Sequence, residues 1–75
     1  MKAHLEKLDP AKNIARYYRM SVLPNLFGEW TLRREWGRIG RSGQVRMDLF
    51  RSQVEAESAL ETLTDAKQKR DYVKV

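Results

Sequence analysis

The 75-residue sequence contains no cysteine and a single histidine, His4. The missing cysteines exclude disulfide bonds, and one histidine leaves too few side-chain ligands for a typical zinc site. No stretch approaches the about 20 consecutive apolar residues that span a bilayer, and the first residues lack the apolar segment of a secretory signal. We therefore expect a soluble, cytoplasmic protein that binds no metal and holds its core by packing alone.

Residues that commonly carry catalysis are also scarce. The chain has no cysteine nucleophile, its one histidine lies near the N-terminus, and its four glycines do not form a loop that would cradle a phosphate. Half of the ten carboxylates follow residue 52, in a segment that is typical of a solvent-exposed helix. We expect no enzymatic activity and no cofactor.

What the chain does have is enough apolar material for one small core. Hydrophobic residues make up 41% of the sequence and include two tryptophans, three tyrosines and two phenylalanines. A domain of this length buries only about 60% of the surface that its unfolded chain exposes, so we expect a free energy of unfolding of roughly 4 to 11 kcal/mol.

Positive charge is concentrated in one segment. The net charge is +5, but residues 12–51 alone carry nine basic residues against three acidic ones, a net of +6. Eight of the nine are arginines, whose planar guanidinium suits phosphate and stacks on rings. This distribution is compatible with nucleic-acid binding and equally with an ordinary solvated surface.

Hydrophobic periodicity predicts an α+β fold, an antiparallel β-sheet meander packed against one C-terminal amphipathic helix. Alternation predicts strands over residues 14–22, 29–33 and 44–50. Trp30 is expected to face the core, and Gly40 and Gly43 supply a tight turn before the third strand. Ser52 followed by Glu55 is a capping box, and an apolar stripe with three- and four-residue spacing predicts a helix over residues 53–70.

The two ends of the chain have weaker patterns. Residues 1–12 show no sustained period and are expected to form a flexible leader or a short helical turn, which leaves residues 13–75 as the folded domain. Residues 72–75 alternate again and predict either a short terminal strand or a frayed end.

A set of motifs resembles the WGR domain, a family named for its Trp-Gly-Arg signature. The signature is Trp36-Gly37-Arg38, preceded by Leu26-Phe27-Gly28-Glu29-Trp30 and followed by Ile39-Gly40 and Gly43-Gln44. Matching positions downstream are Glu55-Ala56, Leu63, Lys67 and Asp71-Tyr72, so the resemblance covers about residues 13–73. One departure is Asp71, where a glycine is expected before the tyrosine.

The resemblance implies a non-catalytic nucleic-acid-binding module. The family occurs in DNA-damage-sensing poly(ADP-ribose) polymerases and as small bacterial proteins, and in the polymerases it contacts DNA near a strand break. Carried over to this sequence, Trp36 would lie against a terminal nucleotide, Arg38 would reach nearby backbone, and Gly37 would let sugar or phosphate approach. Polymerase activity belongs to a separate domain and is not implied.

The orientation of Trp36 is the open question. In a regular strand Trp36 points the same way as Trp30 and is a core residue, but Arg34 would then also point inward, at the cost of burying a charge. A bulge near Arg34 and Glu35 would turn Trp36 outward, and we favour this arrangement.

The leading hypothesis is a reader of DNA ends, nicks or single-stranded junctions, with RNA as a possible ligand. Besides the signature, the candidate contact residues are Arg41 in the turn and Arg33 and Arg46, whose strand positions allow the same surface. Four to six neutralised phosphates give a slope of log K against log salt of about −3.6 to −5.4. The alternative is a protein-interaction module that docks an acidic partner through the same basic face or pairs another chain at the sheet edge. We expect a monomer.

Overall fold

A computed structural model describes residues 1–75 and contains five strands and one α-helix. A 3-10 turn joins the first two strands. The elements are β1 (Lys2–Asp9), the 3-10 turn (Pro10–Lys12), β2 (Ile14–Pro24), β3 (Trp30–Arg38), β4 (Gln44–Phe50), α1 (Gln53–Gln68) and β5 (Val73–Lys74).

The sheet is antiparallel throughout and has the strand order β4-β3-β2-β1-β5. Each of the first four strands lies beside the next one in the chain, so they form a meander, and β5 returns to pair with β1. The predicted α+β architecture with one C-terminal helix is confirmed. No helix is long and apolar enough to cross a membrane.

The N-terminal segment is a strand, not the flexible leader or short helical turn that we expected from the sequence. Lys2–Asp9 is a strand that pairs with β2 along its whole length, and Leu5 in its middle is fully buried in the core. The alternation was hard to detect because charged residues lie on both sides of this strand. Lys7 is on the same face as Leu5, and its ammonium lies 5.9 Å from the Tyr72 ring, so the charge is not isolated.

Local hydrogen bonds define both ends of helix α1. The Ser52 hydroxyl accepts the Glu55 backbone N–H at 3.2 Å, which satisfies one of the unpaired donors of the first turn. After the helix, Asp71 has φ 70° in the left-handed region, and the Tyr72 N–H donates to the Lys67 carbonyl at 3.1 Å. A glycine favours this conformation, and aspartate tolerates it better than most residues, so the departure at Asp71 leaves the helix end intact.

Helix α1 covers only one face of the sheet, and the core lies between them. The buried core residues are Leu5, Tyr18, Met20, Val22, Leu32, Ala56 and Leu60, with Trp30 packed against them. We call the opposite side of the sheet the open face. It carries the exposed apolar side chains Leu23, Val45, Met47 and Leu49, beside a polar cluster around Glu35.

Candidate nucleic-acid interface

The signature lies at the end of β3 in an unbroken ladder. Trp30 to Arg38 pair residue by residue with β2, and Trp30 to Trp36 with β4, so no bulge interrupts the strand. Trp36 therefore lies on the same face as Leu32, toward α1, and is half-buried. The prediction that a bulge near Arg34 turns Trp36 outward is wrong, and strand parity gives its orientation.

Arg34 does not need a bulge, because a carboxylate meets it on the covered face. Its Nη2 lies 2.9 Å from Asp48 Oδ2, and the Nε of Arg46 lies 3.2 Å from the other oxygen of the same carboxylate. Removing a charge from water is costly unless a partner of opposite sign is close, and Asp48 supplies that partner. Asp48 lies on the neighbouring strand, so no local sequence pattern links it to Arg34.

A cleft of about 460 Å³ opens beside the signature. Its lining combines three cations and three aromatic rings with no carboxylate. We call it the aromatic cleft, and the residues that line it are Arg16, Tyr18, Trp36, Gly37, Arg38, Lys67 and Tyr72. It has the composition of a site for an anionic, planar ligand.

The aromatic rings of the cleft hold one another in place. Tyr18 stacks on Trp36 with 5.8 Å between ring centroids and 15° between planes, and it meets Tyr72 edge-on at 6.5 Å. Tyr18 is itself buried in the core, so it anchors the other two rings to the domain. Trp36 is thus a fixed surface for stacking rather than a freely rotating side chain.

Arg38 is positioned by the turn before β2. Its Nη1 donates to the Asn13 carbonyl at 3.3 Å and its Nη2 to the Asn13 side-chain oxygen at 3.1 Å. Asn13 has φ 54°, the left-handed conformation that ends the 3-10 turn and that asparagine adopts readily. Arg16 lies directly opposite Arg38 in the β2–β3 register. Both arginines lack a carboxylate partner, which leaves their charge available to a ligand.

Lys67 closes the cleft from the helix side. Its ammonium lies 4.5 Å from the centre of the Tyr18 ring and 5.6 Å from that of Tyr72, and it forms no ion pair. Burial lowers the Lys67 pKa below the ordinary value, with smaller contributions from Arg70 and Arg34. A phosphate in the cleft would supply the missing counter-charge.

Gly37 faces the other way, toward the open face. A Cβ at this position would lie 2.8 Å from the Gly43 Cα and 3.5 Å from Cε1 of the Tyr17 ring. The end of β3 therefore approaches the start of β4 too closely for a side chain. Close packing therefore requires a glycine at position 37, whether or not a sugar or phosphate approaches it.

On the open face, the Glu35 carboxylate accepts three hydrogen bonds. The Tyr17 hydroxyl donates to it at 2.9 Å, and Arg19 and Arg33 each donate at 3.2 Å. The Tyr17 hydrogen bond is the main cause that lowers the Glu35 pKa, followed by the one from Arg33. Two of the arginines of the basic segment are thus already paired.

Comparison with known proteins agrees with this structure. The model of the WGR domain family matches residues 1–75, the whole chain. The chain belongs to the WGR family. A similar protein is the uncharacterized protein y4dW of Sinorhizobium fredii, which is 46% identical over 69 residues. Those residues are 92% of this chain and 34% of the relative, so the chain spans about a third of the relative's length. WGR is a binding domain, and the family often binds nucleic acid in proteins resembling poly(ADP-ribose) polymerases.

In this WGR domain the six predicted contact residues separate into three places. Trp36, Gly37 and Arg38 line the aromatic cleft. Arg33 is on the open face, bound to Glu35, and Arg41 lines a depression on that face. Arg46 is on the helix side near the free edge of β4, bound to Asp48. Arg33 and Arg46 therefore do not share one surface as expected, because they lie at adjacent register positions of opposite parity.

Four residues of the cleft were not among the predicted contacts: Arg16, Tyr18, Lys67 and Tyr72. The sequence contained a signal for two of them. Arg16 has the parity of Tyr18, Met20 and Val22, and Lys67 continues the spacing of Leu60 and Leu63. Tyr72 follows the helix, and only the turn at Asp71 brings it to the cleft.

Proposed function

We propose that this WGR domain binds nucleic acid at the aromatic cleft, without catalysis, and that it prefers DNA ends, nicks or single-stranded junctions. The observation that carries the proposal is the lining of one cleft by three cations and three aromatic rings with no carboxylate among them. RNA with an equivalent terminus is included in the proposed ligand class, and the proposed location is the cytoplasm.

The chemistry of each group suits a terminal nucleotide. Arg16 and Arg38 present guanidinium groups whose flat donor arrays match phosphate oxygens, and Lys67 adds a point charge. Trp36 presents an aromatic ring held by Tyr18. An internal base pair is stacked on both sides, so only an end, a nick or an unpaired nucleotide can place the face of a base against this ring.

The other three predicted contact residues, Arg33, Arg41 and Arg46, lie outside the cleft. Arg33 and Arg46 are bound to carboxylates, and Arg41 lies at the turn. We assign these three to long-range attraction of the polyanion, not to contacts in the cleft. Their separation over both faces also favours the cleft over the alternative of one broad basic face that docks an acidic partner.

The test compares two fluorescent DNA dumbbells, identical duplexes closed at each end by a non-nucleotide linker, one sealed and one carrying a single nick. Fluorescence anisotropy is expected to show tighter binding to the nicked form. Stacking on an aromatic ring is worth about 1 to 3 kcal/mol, which corresponds to a preference of about 5- to 150-fold. A nicked RNA–DNA hybrid dumbbell measures the tolerance for RNA.

Variants locate the binding site. Arg16→Gln should weaken binding to the nicked form, because it removes a cleft cation at an exposed position. Arg46→Gln is the matched control, an exposed arginine outside the cleft, and should retain the nick preference. Trp36→Phe keeps a ring on Tyr18 while reducing the stacking area. Equal affinity for sealed and nicked dumbbells, or equal effects of the two arginine substitutions, would refute the proposal.

A further inference from the structure

The outer edge of β4 has no neighbouring strand. The strand order places β4 at one edge of the sheet and the two-residue β5, with Lys74, at the other. Proteins commonly protect an edge strand with proline, charged side chains, a bulge or a short length. β4 has seven residues, contains no proline or lysine, and pairs with β3 without a bulge, and its two charged residues, Arg46 and Asp48, already pair with each other. Its outward backbone N–H and C=O groups are therefore free to pair with another strand.

The sequence of β4 is complementary to itself in the antiparallel direction. When two copies of Gln44–Phe50 are aligned about Met47, Val45 lies opposite Leu49 and Arg46 lies opposite Asp48. Apolar residues meet apolar residues on one face, and opposite charges meet on the other. Cross-strand pairs of both kinds stabilise a sheet by about 0.2 to 1 kcal/mol each. If the alignment were shifted by one residue, the apolar side chains of one copy would lie on the face opposite to those of the other copy.

Exposure of the side chains agrees with this alignment. Met47 and Leu49 are 62% and 60% exposed, and Val45 is nearly half exposed, although all three are large and apolar. They form a strip along the open face at the edge itself. The Arg46 side chain is 64% exposed, whereas Asp48 lies between Arg34 and Arg46. In the aligned pair the exposed Arg46 of each copy lies opposite the Asp48 of the other, so unlike charges meet across the edge.

We propose that β4 pairs with β4 of a second copy of this chain, about a two-fold axis between the two Met47 residues, and forms a continuous ten-stranded sheet. The dimer replaces the monomer that we expected from the sequence. The two strips join into one apolar band on the open face, and α1 of each copy lies on the opposite side. The proposal does not depend on nucleic-acid binding.

The arrangement fixes the spacing of the two aromatic clefts. The axis is perpendicular to the sheet, so both clefts open on the helix side. Trp36 pairs with Gln44, three residues from the axis. With strands about 4.8 Å apart and about 3.3 Å per residue, the two Trp36 Cα atoms are about 25 Å apart in a flat sheet.

Single-cysteine variants test the register, because the chain has no cysteine of its own. Directly opposed residues of antiparallel strands have Cα atoms about 4.5 to 5.5 Å apart, within the range that a disulfide spans. Met47→Cys should therefore form a covalent dimer under mild oxidation. Leu26→Cys, at a loop position that is 97% exposed, should react only at the rate of random collision.

A mixing experiment separates this register from other contacts. Val45→Cys and Leu49→Cys should each crosslink slowly alone, because their own copies lie about 13 Å apart along the strands. The two variants mixed should crosslink rapidly, since Val45 lies opposite Leu49 of the second copy. Self-crosslinking of Val45→Cys at the rate of the mixture would overturn the proposed register.

Sedimentation equilibrium tests the association without a crosslink. The wild-type chain should exceed its 8.9 kDa monomer mass as concentration rises and approach twice that value. Met47→Lys places two ammonium groups at the axis and should weaken the dimer at least tenfold, while Met47→Leu should retain it. Circular dichroism checks that the exposed substitutions leave the fold intact. A wild-type chain that stays monomeric at about 1 mM would overturn the proposal.

Discussion

Lys67→Met removes one charge from the aromatic cleft while it keeps a side chain of similar length against Tyr18 and Tyr72. The three cations of the cleft are expected to neutralise three phosphates. Each neutralised phosphate contributes about 0.9 to the slope of log K against log salt on duplex DNA. The wild-type slope should be about −2.7 and the variant slope about −1.8. The four to six neutralised phosphates expected from the sequence correspond to a slope of about −3.6 to −5.4, so the structure predicts a weaker salt dependence.

The difference is large enough to measure by anisotropy on the nicked dumbbell. Between about 50 and 200 mM salt, wild-type affinity should fall about 40-fold and that of Lys67→Met about 12-fold. Arg46→Gln is the control and should change the slope less than Lys67→Met, because Arg46 lies outside the cleft and is bound to Asp48. A wild-type slope near −5 would refute the reasoning, because the separated arginines would then contact phosphate. An unchanged slope in Lys67→Met would refute the role of Lys67.

Two further predictions concern the fold and its pH dependence. Leu5→Ala should lower the free energy of unfolding by about 2 to 5 kcal/mol in urea titrations, because the side chain is fully buried. A loss under about 1 kcal/mol would contradict the assignment of β1 to the core. The lowered Glu35 pKa means that its stabilising contribution is complete above the ordinary value of 4.5 and is lost as pH falls through the lowered one. Glu35→Gln should therefore show a smaller loss of stability between about pH 5 and pH 3, and an identical pH profile would exclude this role.

The elements with a strong local pattern were predictable from the sequence. The helix follows from the Ser52 cap and the three- and four-residue spacing of its apolar side, and Gln53–Gln68 agrees with the prediction within two residues at its end. Strands β2, β3 and β4 follow from alternation, but β3 continues through the signature to Arg38, whereas the predicted strand ends at residue 33. Strand β1 was missed because it has only one fully buried side chain, Leu5, and its charged neighbours are stabilised by contacts distant in sequence, such as that of Lys7 with Tyr72.

The site was predictable only in part, because its members depend on the register between strands. Trp36 and Arg38 were identified from the signature. The pairing of Arg38 with Asn13, and of Arg34 with Asp48, joins residues far apart in the chain, and neither pair has a local pattern. An inward Arg34 is costly unless Asp48 is its partner, which is why the local sequence around Arg34 favours a bulge that the structure does not have.

The alternation of side chains along β3 has a consequence for engineering this domain. The three consecutive signature residues differ in the side they face: the Trp36 and Arg38 side chains line the cleft, whereas Gly37 borders the cleft with its backbone and a Cβ there would meet Gly43 and Tyr17 on the open face. Substitutions at Trp36 and Arg38 can therefore change the ligand, whereas glycine at position 37 is required for the close approach of β3 to Gly43. A library that randomises Arg38, restricts Trp36 to aromatic residues and holds Gly37 constant should yield altered ligand preferences while a ring stays stacked on Tyr18.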